Sequence, residues 1–558
     1  MKWNFWIKIA VFLVLVSLFV TKAIPFFANL YLNANAEKIV RDMITRTRDF
    51  AGHEVQFENI RLSYDYRGTS LQLSGVQIQP GDEMADKEQI RFNLKVDRAS
   101  LTGFSWMRFI FFNSVSLDSA LIENMEIESI SPPLQELVSK TGPTPDAKGT
   151  DYNEVAANHI IVNKASFENK ESYSDSTTLA IRDLFVVGDG FVITKKHLDN
   201  PSSFFKIDHI EGYMDHAAVH INEFRNAVEV NDLSFNSTEK RIEIDLVTVD
   251  NKLSRYQYID QFQKETDWIE LQQGSIAVNG MDFGSYFQTG AIKAKKLSIK
   301  DMVTEVYRDK RKPEDFERRP KMIHEIVREL PPGFDLEEIE LVNGYVSYEE
   351  RPENDAPRAG KLFFDQINAS VLGMTNAPAK LEENDQMELK ASGRLIGQGV
   401  IDLNITYFLT DTTGQFNMSG SLGALDLANL NPMVEPATKV ALKQGRMNSL
   451  FFNISANDIE GTGEVIVRYE DLEIEILDKD FGYDQNIFQK IGSFLANKLI
   501  IKSQNPDKSG DLKKGEVYFL RDQHKFIFNY WWKLVLSGMK STLTGNTEED
   551  LRKKANKP

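Results

Sequence analysis

Residues 57–80 read FENIRLSYDYRGTSLQLSGVQIQP. Apolar and polar side chains alternate through it: Ile60, Leu62 and Tyr64, then Leu71 and Leu73, then Val76 and Ile78. Successive side chains of a strand point to opposite faces, so a period of two predicts strands with one apolar face. Arg67-Gly68 and Pro80-Gly81 supply turns between them. The pattern continues through Phe92, Leu94 and Val96, then Val115 and Leu117, then Ile122, Met125 and Ile127. It resumes at Ile160 and runs, with interruptions, to about Leu477. Within it His159–Phe167, Trp268–Val278 and Ile339–Tyr348 each read as strand, turn, strand. The last contains Asn343-Gly344, and Asn-Gly between apolar alternations is the strongest short hairpin signal. The expected fold class is mainly β, an elongated antiparallel sheet with a few amphipathic helices.

Upstream, the period disappears. Ile9, Val11, Phe12, Leu13, Val14, Leu15, Val16, Leu18, Phe19 and Val20 form an uncharged run flanked by Lys8 and Lys22. A helix needs about 20 mostly apolar residues to cross a bilayer, and this segment has that length if both lysines reach the interfaces. Trp3, Phe5 and Trp6 stand where an interfacial aromatic belt would lie. The reading is one transmembrane signal anchor with the remaining chain exported. A cleavable signal peptide is the alternative, because Ala34-Asn35-Ala36 has the A-x-A pattern, although Pro25, Phe26 and Phe27 separate it from the apolar run. Ala36, Ile39, Val40, Met43 and Ile44 then recur at helical spacing, predicting an amphipathic helix that ends near Gly52.

Downstream, Ser131–Asp151 is rich in Pro, Gly and polar residues and reads as a linker or long loop. Apolar stripes predict helices over Tyr256–Glu265, Lys321–Leu330, Asp484–Lys502 and Lys525–Leu543. The resulting plan is an anchor (1–30), an N-terminal β region (31–130), the linker (131–151), a middle β region with helical insertions (152–378), a further β region (379–480), and C-terminal helices with a polar tail (481–558).

The 558 residues carry a net charge of −17, which argues against nucleic acid, whose phosphates would be repelled. The chain has no cysteine, which excludes disulfides, thiolate metal sites and cysteine nucleophiles. No catalytic, cofactor or metal signature emerges. His209, His216 and His220 are the one histidine cluster; on a strand residues four apart lie about 13 Å apart, too far to share an ion, whereas on a helix His216 and His220 could ligate together. Gly188-Asp-Gly190, Gly397-Gln-Gly399 and Gly461-Thr-Gly463 lack the spacing of a phosphate loop and read as turns or bulges. Asp478 and Asp480 read as solvated turn residues. The expectation is a protein that is not an enzyme.

An anchor, an amphipathic helix and then IRLSYDYRGTSLQLSGVQIQP, NLKVDRASLTG and SVSLDSALIENMEI resemble the start of AsmA-like proteins, the AsmA, TamB and YhdP relatives of Gram-negative inner membranes. LDLANLNPMVEPATKVALKQGRMNSLFFNISANDIEGTGEVIVRYEDLEIEIL is similar to their C-terminal region, with Gly445, then Gly461 and Gly463, before the strand of Tyr469, Asp471 and Leu472. The resemblance covers about the first 130 and last 150 residues. It implies an antiparallel sheet folded into a U-shaped groove that shields phospholipid acyl chains between inner and outer membranes. It further implies a single-pass inner-membrane protein with its bulk in the periplasm, partnered by membrane lipids and, through its C-terminal helices, by periplasmic or outer-membrane proteins. Leu71, Leu73, Phe92, Leu94 and Val96 are then the candidate lipid-facing residues nearest the anchor. The alternative is an assembly factor for outer-membrane proteins that moves no lipid.

Overall fold

The computed structural model describes residues 22, 24–45, 53–65, 68–81, 91–131, 152–172, 176–195, 205–221, 225–354, 356–477, 481 and 503–555. The expected anchor (Ile9 to Val20), nearly all of the 131–151 loop, Asp478, Asp480 and the helix expected over Asp484–Lys502 lie outside these residues. Among the described residues no helix is long and apolar enough to cross a membrane. Strands dominate, as the period of two requires. The chain forms two compact units: residues up to Asp245 with Met281–Ala291, and Leu246–Gly280 with Ile292 onward.

The first unit contains β1 (His53–Gln56), β2 (Asn59–Asp65), β3 (Gly68–Pro80), β4 (Arg91–Phe104), β5 (Ser114–Ser131), β6 (Glu154–Glu171), β7 (Thr177–Thr194), β8 (His209–Ile221) and β9 (Asn226–Asn236). Neighbours from β3 to β9 pair in chain order, antiparallel except for the parallel pair β5–β6. That parallel step explains the 131–151 connection, since the chain has to cross back before β6 can begin. Helix Ile24–Ala34 covers the free edge of β2. Its Asn29 exchanges hydrogen bonds with the backbone of Tyr64, and its Asn33, one turn on, donates to Leu62 O (2.5 Å) and accepts from Leu62 N (2.9 Å). Two amide side chains thus stand in for a missing strand and block pairing with another molecule. Helix Ala36–Thr45 follows, and buries Val40 against Val55, Leu73, Val76, Ile78 and Val96.

The expected hairpins at His159–Phe167 and Ile339–Tyr348 are not turns, because each segment lies inside one strand. A type I′ turn needs two consecutive residues of positive φ. Here only Asn343 has one (59°), and in the first segment only Lys164 (56°). A single left-handed residue does not reverse the strand. It shifts the pleat by one residue and bends the strand, as a bulge does. The apolar set then continues on the same face in the opposite parity. Leu71 and Leu73 give way to Val76 and Ile78 across Gly75 (φ 59°), and Leu73, Val76 and Ile78 share one core.

These kinks are aligned. By register, Gly75, Asp97, Asn124 and Lys164 follow one another across β3–β6, and Asp183, Asp215 and Asp232 follow one another across β7–β9, the row stepping by about two residues at the bulged β6–β7 pair. Gly75, Asn124, Lys164, Asp183 and Asp232 all have φ of 51–59°. Pairing resumes in the same register beyond the kink, with Val96↔Met125 and Arg98↔Glu123 on either side of Asp97 and Asn124. A second row crosses Gly103, Asp118, Asn158, Gly190 and Asp208, six or seven residues from the first on each strand. Gly103 (φ 71°) is required twice, for its backbone and because a Cβ there would strike the Asp118 carboxylate. We expect Gly103→Val to cost about 1–3 kcal/mol in urea unfolding. Gly545→Ala, of the same φ but in open space, should cost about 1 kcal/mol.

The second unit holds the end of β10 (Arg241–Asn251), then β11 (Asp267–Gln273), β12 (Ile276–Asn279), β13 (Lys293–Lys300), β14 (Val303–Asp309), β15 (Asp335–Arg351), β16 (Gly360–Thr375), β17 (Gln386–Leu395), β18 (Gly399–Phe408), β19 (Phe416–Leu422), β20 (Leu425–Asp426), β21 (Val440–Ala456), β22 (Glu460–Ile476) and β23 (Gly515–Leu520). The third expected hairpin, Trp268–Val278, is also corrected. β11 and β12 keep one register along β14 and β13, Gln272↔Val303 and Ile276↔Ile299, so they form a single interrupted line. Asp301 and Asn343 are left-handed here too, and Asn343 Nδ2 donates to Asp301 Oδ1 (2.6 Å). Gly397-Gln-Gly399, in contrast, is a true turn, with Ile396 and Gly397 both at positive φ.

Helix Ile527–Thr544, expected from Lys525–Leu543, docks on β22 and β23 of its own unit and buries Ile527, Tyr530 and Leu534. Glycines let it approach: a Cβ on Gly461 would meet Leu534 Cδ2 at 2.5 Å, and one on Gly538 would strike Val465. The resulting core, with Phe416, Ile405, Met418 and Ile454, is closed. His324 on helix Ile323–Glu329 is buried at its margin, and burial holds the imidazole below its ordinary value. The unfolded chain therefore binds the extra proton, so stability is lost as pH falls through the ordinary histidine range and towards the lowered folded value. The urea midpoint of this unit should fall between pH 7.5 and 5.5, and His324→Gln should flatten that slope.

Candidate functional site

Register identifies which side chains share a face. Leu71, Leu73, Val76 and Ile78 of β3 lie beside Leu101, Ala99, Val96 and Leu94 of β4, and these beside Ala120, Ile122, Met125 and Ile127 of β5. The same row passes to Ile160, Val162, Ala165 and Phe167 of β6, which face Gly188, Val186, Leu184 and Ile181 of β7, with Leu179 the next position along, opposite Asn169. It ends on Gly212, Met214, Ala217 and Val219 of β8 and Phe235, Leu233, Val230 and Val228 of β9. None of these residues is charged. The ionic and polar pairs of the same strands stand on the opposite face: Arg98–Glu123 (3.3 Å), His159–Asp189 (2.6 Å) and His216–Asn231 (2.9 Å). So does Lys170–Glu128 (2.6 Å), where the Lys170 hydrogen bond, followed by that of Asn93, holds the Glu128 carboxyl below the usual range.

Burial divides this apolar face in two. Near β1–β4 it is sealed: Leu73 and Val96 are buried beneath Val40 of helix Ala36–Thr45, and Leu71 and Leu94 pack against that cluster. Phe92 is half-buried beside the His53 ring, with ring centres 6.3 Å apart. Ile122 and Met125 of β5 still pack against the cluster beneath Val40, and beyond them the face is partly open. Ile127, Ile160, Val162, Phe167, Ile181, Leu184 and Val186 are half-buried and Val219 is 41% exposed, while Ala120, Ala165 and Met214 between them are buried. An apolar face this continuous is ordinarily covered by a second layer.

Comparison with protein-family models and with curated proteins finds no match. The reading of this face therefore rests on its own chemistry. His209, His216 and His220 lie along β8 as the strand reading required, and His209 and His216 bond separately, His209 to Thr238 Oγ1 (2.8 Å). Among the described residues no three His, Asp or Glu side chains converge on a metal position.

Of the five residues singled out from sequence, two lie in the sealed part and three at its border. The open positions of β6–β9 were passed over, although their signal was present. VEVNDLSF (228–235), LAIRDLFV (179–186) and IVNKASF (161–167) each repeat the parity change of LQLSGVQI (71–78) around a left-handed residue.

Proposed function

We propose that this protein is a membrane-tethered, AsmA-like carrier or shield for lipid acyl chains, with its bulk on the periplasmic side of an inner membrane. The observation that carries this is the apolar face that runs from β5 to β9, on which the larger side chains of β6, β7 and β9 are only half-buried although Ala120, Ala165 and Met214 between them are buried. Two aligned rows of kinks would fold such a sheet into a U-shaped trough, with the band between them as its floor. On β4, β5 and β6 that band is six residues long, from 97 to 103, 118 to 124 and 158 to 164, or about 20 Å at 3.3 Å per residue. Sheets whose side chains interdigitate pack about 10 Å apart. Walls held about 20 Å apart by their floor are too far apart to seal one another, and leave room for acyl chains between them.

Each methylene transferred from water onto such a surface contributes about 0.8 kcal/mol, so an acyl chain supplies the missing packing partner. Charges confined to the outer face keep the path free of groups that would have to be desolvated. Lipid extraction and mass spectrometry on residues 22–558, which keep helix Ile24–Ala34 whole, purified without detergent, should recover phospholipid at a fixed ratio to protein. Protein that is folded and free of lipid would overturn the proposal.

A further inference from the structure

Two helices of the first unit expose apolar side chains that the trough does not use. Helix Ile24–Ala34 presents Phe26, Phe27, Leu30 and Tyr31, each 64–67% exposed. Helix Trp106–Phe112, which joins β4 to β5, presents Met107, Ile110, Phe111 and Phe112, with Phe111 76% exposed. The two share one small core: Leu32 of the first helix packs with Leu62, and Trp106 of the second packs on the same cluster while its Nε1 donates to Thr69 Oγ1 (2.6 Å). Phe104, Trp106, Phe109 and Tyr152 form an aromatic base beneath the second helix, with Ser105 capping its start and left-handed Asn113 its end. The short helix is therefore held rigidly while its apolar face points away from the protein.

We propose that these two faces form a foot seated in the interfacial layer of the bilayer that holds the N-terminal apolar run; this rests on the tether reading. Chain continuity selects the occupant. Ile24 follows Val20 by four residues, so at most about 14 Å of extended chain separates the foot from the end of that run. Phe and Tyr side chains suit the boundary between headgroups and acyl chains, and each helix has a cation beside its apolar face in sequence, Lys22 two residues before the first helix and Arg108, paired with Glu154 (3.0 Å), within the second. The net charge of −17 disfavours free adsorption on an anionic surface, so the foot depends on its tether to raise its local concentration. Its position at the β4–β5 connection puts the beginning of the trough at the membrane surface.

Because the chain has no cysteine, single labels are straightforward. Full-length Phe111→Cys, Phe27→Cys, Val16→Cys and Ser234→Cys proteins, each carrying an environment-sensitive fluorophore, are reconstituted in phosphatidylethanolamine–phosphatidylglycerol vesicles with spin-labelled lipid. The expected result is strong quenching at 16, shallower quenching at 27 and 111, and none at 234. Quenching at 16 without quenching at 111 would overturn the foot and leave the tether standing. Quenching at 111 without quenching at 16 would overturn the tether, and with it the foot as a tether-dependent contact. A blue-shifted but unquenched label at 111 would mean that protein covers the helix, and would overturn the foot.

Discussion

Asp458→Ala is expected to destabilise the second unit by about 3–5 kcal/mol, which is a large part of a typical domain's stability. Asp458 sits in the turn between β21 and β22 and pairs closely with Arg521, whose side chain is fully buried. Arg319 reaches the other carboxylate oxygen at 2.6 Å, and Arg521 also donates to the Pro320 carbonyl (2.9 Å). Burial already pushes the Arg521 guanidinium below its ordinary value, so the carboxylate is what makes its charge tolerable. Removing Asp458 leaves that charge buried and short of a partner, whereas removing both ions leaves only a packing defect. Arg521→Met combined with Asp458→Ala should therefore regain most of the loss in urea unfolding. A single-mutant cost below about 1 kcal/mol would show that water reaches Arg521 and that the pair does not hold the turn.

The second large effect separates the open part of the apolar face from the sealed part. At Ile181, half-buried on β7, glutamate can keep its charge in contact with water, so Ile181→Glu should shift the unfolding free energy by about 1 kcal/mol or less. Its lipid content should nevertheless fall at least tenfold, because a charge in an acyl path finds neither water nor a partner once lipid is present. Val96→Glu places the same charge beneath Val40 and among Leu73, Val76 and Ile78. There it should cost about 3 kcal/mol or more and unfold the region. Leu94, packed against the same cluster but only half-buried, should fall between them. Equal destabilisation by Ile181→Glu and Val96→Glu would mean that the β7 face is closed.

Most of the strand content was legible because alternation is a local property. The residues that pack beneath Val40 alternate in the sequence as plainly as those left open on β7. What the sequence did not separate was which of them a helix covers, since that depends on where residues 36–45 dock. The hairpins misread at Lys164 and Asn343 failed for a related reason. Asn, Asp and Gly adopt left-handed backbone whether the chain turns or merely kinks, and the number of consecutive left-handed residues decides between the two. The alignment of kinks across β3–β9 is invisible until register is known, because the first row gathers residues as far apart as Gly75 and Asp232. Helix Trp106–Phe112 was hidden for another reason: seven residues are too few to establish a helical period.

The most direct test of the open, kinked apolar face is a photo-crosslinking scan of Leu179 to Val187 on β7 in the full-length protein in cells, read as lipid adducts by mass spectrometry. The expected result is adducts at Leu179, Ile181, Leu184 and Val186 and none at Ala180, Arg182, Phe185 or Val187, a pattern whose parity changes at Asp183. Protein-only adducts throughout, or lipid adducts that alternate without that change of parity, would contradict it.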